Sequence, residues 1–119
     1  MKNYLAVFTG TQAKLDAFKA LDERERAKRE EAGMKAWSEW GNTHAASIVD
    51  VGAPLGKTKR TAADGVSDIR NNLAAYTIVR AESHDAAAKL FLKHPHFTIF
   101  PGDAVEIMEC LPMPDAAKK

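Results

Sequence analysis

Apolar positions along the chain alternate or recur with two periods, and together they outline a single small domain. Residues 3–9 (Asn-Tyr-Leu-Ala-Val-Phe-Thr) are aromatic and aliphatic and stop at Gly10, which predicts a first strand. Both of its faces are apolar, with Tyr4, Ala6 and Phe8 on one and Leu5 and Val7 on the other. The period then becomes helical. Leu15, Phe18 and Leu21 recur every three residues, and Met34, Trp37 and Trp40 resume that spacing. Between them runs a nearly continuous charged stretch, 22–31, whose Asp22/Arg26, Glu25/Arg29 and Arg26/Glu30 pairs stand one helical turn apart on a solvated face. Gly33 and the start of the charged run are the two candidate break points in this stretch, and the division adopted is a short helix, 12–20, followed by a longer one, 22–43.

Residues 47–52 read as a second strand ended by Gly52-Ala53-Pro54-Leu55-Gly56, and 57–61 as a weak strand or extended loop. Asp64-Gly65 marks a turn and Asn71-Asn72 a loop. Residues 73–81 form the clearest strand, again apolar on both faces. Ser83 is a good N-cap, followed by Asp85 in the first turn and an Ala86, Ala87, Leu90, Phe91 stripe. Pro95 stops that helix, so His94-Pro95-His96-Phe97 is expected as a loop at its C-terminus. A last strand follows at 104–111, and 113–119 is expected to be a flexible tail behind a domain of 1–112.

This order predicts an α+β fold: a ferredoxin-like β-α-β-β-α-β arrangement with an antiparallel sheet covered by helices on one face. A sheet so covered should be polar on its other face in a monomer. The strands at 3–9 and 73–81 are not, so a homodimer pairing the two sheets is expected.

Composition adds exclusions. The chain has 119 residues with 17 basic and 16 acidic ones, and its formal charge of +1 gives no general attraction to nucleic acid or anionic membrane. The opening apolar run is too short for a membrane span and has no signal-peptide pattern, so a cytoplasmic protein is expected, with neither nucleic-acid nor membrane partners. Cys110, the one cysteine, excludes an intrachain disulfide and is expected to be a buried thiol.

His94 and His96 are the foremost candidates for chemistry. Two imidazoles flanking a proline can shuttle a proton or line a ligand site. The competing expectation is that His94 caps the preceding helix C-terminus as a cation, with His96 an ordinary loop residue. No His-Glu-x-x-His or similar spacing supplies a third ligand, so neither a metal nor another cofactor is expected. Glu106 and Glu109 lie on the last strand and point to opposite faces, and one of them could pair with His94 or His96. Trp37 and Trp40 read first as core and second as walls of a ligand cleft. Asp50 reads first as a turn residue and second as a polar group of that cleft. Lys57, Lys59 and Arg60 form a basic patch that either protects an edge strand or meets an anionic ligand.

The chain resembles the YCII-related (YciI-like) family. The resemblance rests on the opening Met1-Lys2-Asn3-Tyr4-Leu5-Ala6-Val7-Phe8, the Trp37/Trp40 segment, Gly52-Ala53-Pro54-Leu55, Ala86-Ala87-Ala88-Lys89, His94-Pro95-His96, and the stretch 102–108. It implies small ferredoxin-like domains that pair into a dimeric α+β barrel. Two departures limit what it implies about chemistry. Asp64-Gly65 is followed by Val66-Ser67-Asp68, where one branch of the family has Asp-Gly-Pro-Phe. Shorter members carry a proposed histidine–aspartate dyad; here His94 occupies the turn position of the aspartate, and no histidine precedes His44, so the dyad does not carry over.

Three functions fit. The first is a homodimeric small-molecule-binding domain with a cleft between helices and sheet, lined by His94, His96 and Glu106 and walled by Trp37 and Trp40. The others are a small lyase- or isomerase-type enzyme with a histidine general base, and a structural or partner-binding module. Fold alone does not separate them.

Overall fold

The alternating apolar strands pair as expected. In the computed structural model, which describes residues 1–114, four of them form one antiparallel sheet. Its strands are β1 (Lys2–Thr9), β2 (Ile48–Pro54), β5 (Leu73–Ala81) and β6 (Ala104–Glu109), in the order β2-β5-β1-β6. β1 lies between β5 and β6, with Tyr4 opposite Val79 and Glu109, and Phe8 opposite Ala75 and Val105. This is the ferredoxin-like α+β arrangement. The expected tail lies outside the described residues except for Met113 and Pro114.

The helices α1 (Gln12–Lys19), α2 (Glu23–Thr43), α3 (His84–Lys89) and α4 (Pro95–Thr98) complete the fold. Alternation along β1 sends Tyr4, Ala6 and Phe8 to one face, where they pack with Val79, Ala81, Ala87 and Phe91 as the buried core. Trp37, Trp40 and Leu90 close over this cluster, and the Trp40 indole N–H donates to the Leu90 carbonyl at 2.8 Å. α2 does not break at Gly33. The Phe100 ring packs against that position so closely that any side chain would overlap it, so the glycine serves contact rather than interruption. Arg29 anchors the same helix by donating to the Ile99 carbonyl at 2.9 Å. Among the described residues, no helix is long and apolar enough to cross a membrane.

Between β2 and β5 the chain forms a second, separate sheet, the hairpin of β3 (Thr58–Ala62) and β4 (Gly65–Ile69). The turn near Asp64-Gly65 was expected, but β4 was not: all five of its residues are exposed, and backbone pairing rather than an apolar face defines it. The radius of gyration, 16.6 Å, exceeds the roughly 13.5 Å expected of a compact chain this long, so the structure has projecting parts.

Two further expectations are corrected. Cys110 follows the end of β6 and is exposed, because the apolar pattern of that strand ends before it. The helix after Ser83 is also shorter than its apolar stripe. Beyond Lys89 the backbone tightens into i→i+3 turns, and Lys93 takes a left-handed conformation, φ 59°. That conformation disfavours side chains with a Cβ. Lys93→Gly is therefore expected to raise stability by about 0.5–1 kcal/mol, read as a higher urea midpoint. An unchanged or lower midpoint would show that Lys93 is not strained.

Candidate functional site: His96 at a groove beyond the sheet

The segment 94–96 organises the site. A residue before proline is driven to extended geometry, and proline itself suits the first position of a helix. His94 accordingly adopts φ −61°, ψ 141° and becomes the N-cap of α4, with Pro95 at the helix start. Its Nδ1 accepts the backbone N–H of His96 at 3.0 Å. This corrects the expectation of a cationic cap on the preceding helix: His94 caps the next helix as a neutral acceptor.

With Nδ1 accepting, the proton of neutral His94 lies on Nε2. That atom has no hydrogen-bond partner in the protein. The imidazole is fully buried among aromatic rings, with centroids 4.5 Å from Trp37, 4.7 Å from Trp40 and 5.0 Å from Phe8. Desolvation, reinforced by His96 and His44, pushes its pKa down to about 4. The expected ligand cleft between helices and sheet is therefore a packed aromatic cluster, and Trp37 and Trp40 wall His94 instead of an open site.

His96 is held differently. It is 7% exposed, and its Nε2 is 2.7 Å from the Thr9 carbonyl, which also accepts the Asp103 N–H. The carbonyl can only accept, so Nε2 carries a proton and Nδ1 holds the lone pair of the neutral ring. Gly102 makes this placement possible, since a Cβ there would overlap the imidazole. Burial lowers the His96 pKa, opposed in part by the Thr9 carbonyl and by Asp103. Asp103 is itself tied to Lys14 at 2.6 Å and accepts the Thr11 N–H at 2.7 Å, and the Lys14 contact holds its carboxyl below the usual range.

His96 lines a groove of about 1180 Å³ that runs beyond the end of β1. Gly10, Leu15 and Lys19 line it from the end of β1 and from α1, Phe100 and Gly102 from the loop before β6, and Lys57, Lys59, Asp68 and Arg70 from the base of the hairpin. The remaining expected site residues lie elsewhere. Glu106 is exposed and pairs with Val7 on the sheet face opposite Phe8 and His94. Asp50 is exposed and accepts the N–H of Gly52, which is not a turn ending the strand as expected but a register irregularity inside β2. The carboxylate acting on His96 is Asp103, which the sequence reading passed over along with Lys19 and Arg70. No local motif marks these residues, because separate segments meet only in the folded chain. Among the described residues, no three His, Cys, Asp or Glu side chains form a group able to hold a metal ion.

No protein-family model and no curated protein matches the chain. Its fold is similar to that of 5-chloro-2-hydroxyhydroquinone dehydrochlorinase from Burkholderia phenoliruptrix, solved in complex with 2,5-dihydroxybenzoquinone. The two superpose with a TM-score of 0.53 over 92% of this chain and 93% of the other, at 17% identity. At that identity the likeness establishes the fold.

Both histidines have pKa values below that of a free imidazole, so the unfolded chain takes up protons more readily. Stability is therefore complete above about pH 6.5 and falls as the pH drops toward the His94 value of about 4. For His94, the interval from 6.5 to about 4 corresponds to about 3 kcal/mol. His94→Asn, which can keep an acceptor for the His96 N–H, should flatten the slope between pH 7 and 4.5 in urea titrations. An equal slope in the variant would locate the acid sensitivity elsewhere.

Proposed function

We propose that this chain is a homodimeric small-molecule-binding domain whose ligand lies in the groove beside His96. One observation carries the reading: an almost fully buried imidazole with a depressed pKa lines a groove large enough for a ring-sized compound. His94 is its positioning residue, since its Nδ1 fixes the backbone from which the His96 ring projects. The dehydrochlorinase of similar fold holds 2,5-dihydroxybenzoquinone, which supports a small hydroxylated ring as the kind of ligand to test. His96→Gln should weaken binding of that quinone at least tenfold in a spectrophotometric titration. Exposed His84→Ala should leave it unchanged, with unfolding midpoints showing that both variants fold. Equal binding by wild type and His96→Gln sinks the reading.

A second reading makes the domain a lyase- or isomerase-type enzyme with His96 as general base. It is favoured by the neutral ring, whose Nε2 is engaged by Thr9 and whose Nδ1 keeps its lone pair. In that case Nδ1 takes a proton from a carbon or hydroxyl next to a carbonyl.

The dimer is supported by the sheet face turned away from the helices. Leu5 pairs there with Ile78 and Met108, and Val7 with Tyr76. A second copy would cover this apolar surface and give the projecting hairpin, marginal as an isolated pair of strands, something to pack against. Light scattering should report twice the chain mass of 13.0 kDa, and Ile78→Glu should halve it. A monomeric wild type overturns the pairing.

A further inference from the structure

The charge around the groove is more one-sided than that of the whole chain. The protein has a formal charge of +1, yet among the described residues Lys19, Lys57, Lys59 and Arg70 line the groove with Asp68 as their only carboxylate. Asp68 is already bound to Lys59 at 2.7 Å. The nearby Asp103, which acts on His96, is likewise bound by Lys14 at 2.6 Å. Among the described residues, Lys19, Lys57 and Arg70 have no ion-pair partner. They come from the end of α1, the loop before β3 and the segment after β4, so no shared helix or strand pattern explains their meeting. Concave walls concentrate the field of such charges on whatever enters between them.

We infer that the groove takes a small organic anion, with a carboxylate or phenolate held by Lys19, Lys57 and Arg70 and a hydroxyl or second oxygen offered to His96. This rests on the groove being the ligand site and adds the ligand's charge. A cationic rim and a neutral imidazole divide the work: the rim supplies attraction that salt weakens, and His96 supplies a directional hydrogen bond. Solvated lysines guarding an edge strand are the competing account. That account gives Lys19 and Arg70, neither of them in a strand, no reason to face the same groove as Lys57.

The test compares 4-hydroxybenzoate with 4-hydroxybenzamide, which share ring and hydroxyl and differ in charge. Each is titrated into the full chain while the backbone amides of Gly10, Gly56 and Gly102, all on the groove wall, are followed by nuclear magnetic resonance. The acid should shift these three amides, bind more tightly than the amide compound, and weaken as salt is raised. Lys57→Gln and Arg70→Gln should each loosen the acid by about two- to fivefold and leave the neutral compound unaffected. Equal binding of both compounds, with the variants silent, overturns the anion and leaves the groove standing. Acid-induced shifts confined to other residues, or none from either compound, also overturn the anion. The separate 2,5-dihydroxybenzoquinone titration then shows whether the groove reading falls with it.

Discussion

The burial of His94 without a charged partner is the constraint on which the end of the molecule around α4 and the groove depends. Its ring touches Phe8 of β1, Trp37 and Trp40 of α2, and Phe91 at the end of the α3 region, so a single imidazole joins the sheet to both helical segments. An imidazolium would have no counter-ion and little hydration there, so the ring stays neutral and its Nδ1 remains an acceptor. That acceptor takes the His96 N–H, which sets α4 in place and directs the second ring to Thr9.

Two histidines separated by one proline thus do different work. His94 belongs to the core, and its chemistry is confined to one hydrogen bond and aromatic contact. His96 lies at the boundary, with one nitrogen fixed by the backbone and the residue facing the groove. Gly102 matters to both the fold and the site, because it begins the approach to β6 and leaves space for the His96 ring. The short loop 100–103 therefore supplies Phe100 against α2, room for the imidazole, and Asp103 as its electrostatic neighbour.

The sheet separates the molecule's two surfaces. On one side, alternating residues of β1 and β5 build the aromatic core with α2 and α3. On the other lie Leu5, Val7, Tyr76 and Ile78, with Val7 buried and the other three half-buried. Glu106 belongs to that second surface, so its strand parity, and not its proximity in sequence to His94 and His96, decides which groups it can meet.

Periodicity and turn chemistry determined much of this protein before any contact was known. The strands at 3–9 and 73–81, the two early helices, the Ser83 cap and the opposite directions of Glu106 and Glu109 follow from local rules that act over a few residues. The backbone restriction at His94-Pro95-His96 was also legible, because proline restricts its neighbours wherever it occurs. What those neighbours do was not. Whether His94 caps the helix before it or after it depends on which groups Trp37 and Trp40 leave unsolvated. Whether Trp37 and Trp40 wall a cleft or fill it depends on the spacing of α2 from the sheet, which Gly33 and Phe100 set by close contact. The groove depends on segments around residues 10, 19, 57, 70 and 102 arriving at one place. Local sequence fixes backbone preference and face, but only the tertiary fold decides which charges lose water and which side chains share a space.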